Sequence, residues 1–142
     1  MVQANKTKAV SLARMRLSLL FCPVVLVLAG AALGAAVSAA LRHSVHPLEM
    51  TVAAAISIVV GIFAVLPMVI MLGGSGVVLL RCATVANMAR LVGIMIGGLL
   101  AVVFLPKDAH KMALIIWLVA FYFLLLIGES IVSSWVMKQS RF

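Results

Sequence analysis

Residues 50–72 read MTVAAAISIVVGIFAVLPMVIML, an apolar stretch without one charged side chain. A helix needs about 20 such residues to cross roughly 30 Å of hydrocarbon. The stretch is continuous rather than alternating, so it does not read as a strand of a closed β-barrel. Three further runs of the same kind lie around it, at 17–41, 85–105 and 112–137. The connections, 42–49, 73–84 and 106–111, are short, so neighbouring helices must run antiparallel. The pattern predicts an all-α integral membrane protein, a single domain over 1–142 built as an antiparallel four-transmembrane-helix bundle.

Composition agrees. Of 142 residues, 66% are apolar and 10% charged, and the mean hydropathy is +1.33. A soluble domain of this length needs a polar surface this chain does not supply. The formal net charge of +8 is spread over short segments between apolar runs, which excludes a soluble basic face for nucleic acid. The lipid bilayer and its headgroups are the expected partner.

The basic residues also set orientation. Lys6, Lys8, Arg14, Arg16, Arg81, Lys138 and Arg141 fall on one side of the bundle, and Arg42, Lys107 and Lys111 on the other. The richer side is expected in the cytoplasm, together with both termini. Trp117 and Trp135 lie near opposite ends of the fourth run, where aromatic belts form. The basic start and the small residues Val37-Ser38-Ala39-Ala40 resemble a cleavable signal peptide. The first apolar run is far longer than the usual 7–15 residues of a signal peptide, so the first helix is expected to stay.

Small residues recur at every fourth position: Gly30, Gly34 and Ser38; Ala53, Ser57 and Gly61; Gly93 and Gly97. This spacing stacks them on one helix face and lets backbones approach closely, within the bundle or between copies in a homo-oligomer. Pro67 frees a helical carbonyl and predicts a kink, with a hinge or loop at Gly73-Gly74-Ser75-Gly76. No Gly-Lys-Ser/Thr follows those glycines, so they are not a phosphate-binding loop.

Two charges interrupt the apolar runs. Arg90 is expected about 8 Å and Glu129 about 12 Å below the cytoplasmic face, close enough in depth to pair. Isolated charges there cost several kcal/mol. The pair reads either as an interhelical register lock, with Arg90 free to snorkel instead, or as a proton or cation site or a contact for a partner's charge.

Other chemistry is thin. The only acids are Glu49, Asp108 and Glu129, and no hydrolytic constellation or catalytic residue emerges. His43, His46 and His110 lie in connections on the outer side, which argues against haem held between helices. His43, His46 and Glu49 are conceivable as a superficial metal site, but no metal or cofactor is expected. Cys22 and Cys82 read as small apolar residues.

The run 53–72, AAAISIVVGIFAVLPMVIML, and the stretch 80–104 resemble the ATP synthase protein I family. Leu66-Pro67 is similar to that family's Leu-Pro late in the second helix. Residues Val85-Ala86-Asn87-Met88-Ala89-Arg90 are similar to its Gly-Glu-x-x-Lys segment, with Arg90 at the basic position and Asn87 in place of the acid. The resemblance implies a small four-helix protein of the bacterial inner membrane. It would be a non-catalytic accessory that helps the F-type ATP synthase proteolipid ring assemble, with a proposed part in magnesium supply. The alternative is a small oligomeric ion or solute transporter with Glu129 in its pathway.

Overall fold

The computed structural model describes residues 2–40, 46–72, 75–107 and 109–140. They form four α-helices: α1 (Val2–Ala40), α2 (Pro47–Ile70), α3 (Gly76–Phe104) and α4 (Lys111–Ser140). Each contains a segment long and apolar enough to cross a membrane.

Local chemistry explains several helix ends. Pro47 opens α2 at a position whose N–H would have no helical partner, and its ring presets the helical φ. Leu105 ends α3 in an extended conformation, φ −67° and ψ 146°, because Pro106 disfavours helical geometry in the residue before it. The Ala109 N–H then donates to the Pro106 carbonyl at 3.0 Å, closing the turn into α4.

Three helix boundaries correct the sequence expectation. α1 begins at Val2 rather than near 17, and α4 extends to Ser140 rather than 137. α3 begins at Gly76, inside the expected connection 73–84, and carries Arg81 and Thr84 on a helix. Lys and Arg are good helix formers, so a basic stretch marks the edge of the apolar run without ending the helix. Thr84 donates its hydroxyl to the Leu80 carbonyl at 3.1 Å, which satisfies it inside the helix. Pro67 lies within the last turn of α2. The helix runs on to Ile70, and the Met71 N–H donates to the Pro67 carbonyl at 3.1 Å.

Two core clusters show the antiparallel arrangement. One joins Leu19 of α1, Val65, Met68 and Val69 of α2 and Leu79 of α3, with Val132 of α4 packed against them. The other joins Val27, Ala53, Ala101, Leu114, Phe121 and Leu125. Early parts of α1 and α3 thus meet late parts of α2 and α4. Among the described residues α2 and α4 each touch the other three helices, whereas α1 and α3 do not meet. The bundle is a flattened rhombus with α2 and α4 on its short diagonal. Outside it large apolar side chains are exposed all round, Leu99 at 69% and Phe104 at 82% among them.

Candidate functional site

Glycines set how close the helices come. A methyl group on Gly30 would sit 3.1 Å from Leu124, and one on Gly34 would collide with the Trp117 ring, both on α4. On Gly61 it would sit 2.8 Å from Pro23 of α1. On α3 the corresponding distances are 2.8 Å from Gly93 to Val60 and 2.7 Å from Gly97 to Ile56, both on α2. These small-residue faces therefore pack inside the bundle. Ser57 is fully buried on α2, and its hydroxyl oxygen has no hydrogen-bond partner among the described residues. Two close approaches were not singled out in the sequence. Gly128 of α4 abuts Leu26 of α1, and Pro23 sits buried within α1 against Gly61. A lone glycine beside a glutamate and a proline inside an apolar run gave no repeat to notice.

Between the two core clusters the interior turns polar. Arg90 donates through Nη2 to Glu129 Oε2, an ion pair that ties α3 to α4. Arg90 has no exposed surface, which corrects the snorkelling alternative: its guanidinium turns inward rather than toward headgroups. Its Nη1 also donates to Asn87 Oδ1 at 3.4 Å, one helical turn earlier on α3. The two charges also match in their position along the helices. Arg90 lies nine residues beyond Arg81 and Glu129 nine residues before Lys138. At roughly 1.5 Å per residue each sits about 13 Å inward from a basic side chain on its own helix.

The pair borders a partly open cleft of about 190 Å³ lined by Val65 and Met68 of α2, Ala86 and Asn87 of α3, and Glu129, Ser130 and Ser134 of α4. Glu129 is only 9% exposed, and its Oε1 has no hydrogen-bond partner among the described residues; Arg90 Nε is likewise without one. Ser130 donates to the Leu126 carbonyl and Ser134 to the Ser130 carbonyl, each at 2.7 Å. Their protons are committed to the backbone, so toward the cleft both hydroxyls offer lone pairs. Cys22 of α1 is within electrostatic range of both Arg90 and Glu129. Asn87 had a signal in the sequence, its i, i+3 spacing to Arg90. Ser130 and Ser134 had none that separates them from any back-bonded serine of an apolar helix.

A second polar group closes the other end of the bundle. Glu49, 4% exposed at the start of α2, accepts the backbone N–H of His110 at 2.7 Å, and the His46 and His110 rings lie 4.2 Å apart. These contacts clip the α3–α4 turn to α2. Of the conceivable metal set, His43 lies outside the described residues, and no group of three or more metal-ligating side chains occurs among those described.

The chain matches no family model, no curated protein and no solved structure.

Proposed function

We propose that this protein spans the bacterial inner membrane four times with both termini in the cytoplasm, and acts as a non-catalytic accessory or assembly factor for a membrane complex. The resemblance of 53–72 and 80–104 to the ATP synthase protein I family points to the proteolipid ring of the F-type ATP synthase as that complex. The observation that carries the reading is the unequal use of the helices. α2 and α4 each pack against the other three helices, while α1 and α3 each pack against two and are the least buried of the four spans. On α3 the exposed side chains Met88, Val92, Met95, Leu99 and Val103 recur at three- and four-residue steps, as an edge-on helix contact requires. The intramembrane charges are neutralised inside, so this outer face can meet another membrane helix without a desolvation cost. A photo-crosslinker at Met95, activated in intact membranes, tests this. Adducts with a proteolipid subunit support the assignment, and adducts with lipid alone contradict it.

The cleft at Glu129 favours a second reading, a small oligomeric transporter for a cation such as magnesium or another solute. Purified protein in vesicles would then show uptake that Glu129→Gln abolishes; absence of uptake by the wild-type protein contradicts it.

A further inference from the structure

The cleft lies on one side of Glu129 only. Every residue that lines it belongs to the half of the bundle carrying Arg14, Arg16, Arg81 and Lys138. On the opposite side the path is closed by Val27, Leu118, Phe121 and Leu125, all at most 5% exposed. An ionised carboxylate oxygen left without a donor in an apolar surround costs several kcal/mol, far more than ordering a few waters. A volume of about 190 Å³ exceeds what one water needs many times over, and Glu129 Oε1, Ser130 Oγ, Ser134 Oγ and the Asn87 amide give such waters partners.

We propose that the cleft is a one-sided aqueous vestibule that places Glu129 in proton exchange with the cytoplasm. The ligand class is water and its proton. A hydronium at the cleft floor transfers H⁺ to Glu129 Oε1, the new O–H bond forming as the hydronium O–H breaks and a water is left behind. The carboxyl is then neutral; its Oε2 still accepts from Arg90 Nη2, and Asn87 Oδ1 still accepts from Nη1. The groups facing Glu129 are Arg90 and Asn87 from α3 and Cys22 from α1. α2 presents only Val65 and Met68 to the cleft, and its one ionisable residue, Glu49, is at the far end. The inference rests on the membrane-spanning reading with the basic end in the cytoplasm, and on no particular partner or transported ion.

Thiol labelling in oriented vesicles tests it. In a Cys22→Ala, Cys82→Ala background, single variants Ser130→Cys and Ile131→Cys place an exposed thiol at nearly the same depth, but only Ser130 lines the cleft, whereas Ile131 is on the outer face. A membrane-impermeant, water-soluble thiol reagent added from the cytoplasmic side should modify Ser130→Cys more than an order of magnitude faster than Ile131→Cys, because ionised thiolate forms only in water. Labelling of Ser130→Cys from the outer side alone would uphold the one-sided vestibule and overturn the orientation instead. Equal rates at the two positions, or no labelling of Ser130→Cys from either side, overturns the vestibule.

Proton uptake has its own readout in the unmodified chain. An apolar carbodiimide consumes a protonated carboxyl, the acid proton passing to its nitrogen and the carboxylate oxygen adding to its central carbon. Adduct at Glu129, located by mass spectrometry, should increase several-fold as the cytoplasmic pH is lowered. A yield independent of pH contradicts proton exchange.

Discussion

The Arg90–Glu129 pair is buried between two apolar clusters, and its contribution depends on what it is compared with. Desolvating two charges offsets much of their attraction, so the pair as a whole is a weak source of stability. Breaking it is another matter, because the survivor stays in a poorly solvated interior. Arg90→Leu or Glu129→Leu alone should lower stability by about 1–3 kcal/mol, softened by local water entry. The double variant should regain much of that loss. Thermal or denaturant unfolding in detergent supplies the four corners of the cycle, and additive losses would show that the two side chains do not interact. Asn87→Ala should cost less than either single change, since its contact with Arg90 is long at 3.4 Å and leaves the ion pair in place. Both charges were legible because no other charged side chain interrupts those apolar runs. The inward turn of Arg90 was not, since the same letter serves equally well for a side chain that snorkels.

At the scale of the helix, glycine positions decide distances between axes, and their neighbours decide how much a larger residue costs. Gly61 faces the ring of Pro23, which is tied to its own backbone and cannot rotate away. Gly30 faces the flexible tip of Leu124 at 3.1 Å, with the Phe121 ring at an ordinary contact distance. Gly61→Leu should therefore destabilise by about 1–3 kcal/mol or abolish accumulation, while Gly30→Ala should be nearly silent. Gly34→Leu and Gly93→Leu should fall between them, and Leu99→Ile on the exposed face should do nothing measurable. Melting temperature and membrane abundance of the five variants check that order. The spans themselves were readable because hydropathy reports where a helix enters lipid. Helix ends were less so, because α1 and α3 continue as helices through basic residues beyond that point.

At the scale of the molecule, short connections fixed the order of directions around the bundle, and that much followed from the residue count between runs. Which diagonal closes did not follow. It depends on where the small faces point: Gly61 of α2 packs against both Pro23 of α1 and Leu125 of α4, drawing α2 into the centre and leaving α1 and α3 apart. The accessory reading uses that asymmetry, and the vestibule uses the one-sided placement of polar residues along α4. Both depend on four crossings with the basic end inside. Reporter fusions after Arg141, within 73–76 and beside His43 measure this most directly. Four crossings with the basic end in the cytoplasm predict cytoplasmic signals at the first two positions and an external signal at the third. An external signal after Arg141 would require an inverted bundle or an odd number of crossings, and either would contradict the account.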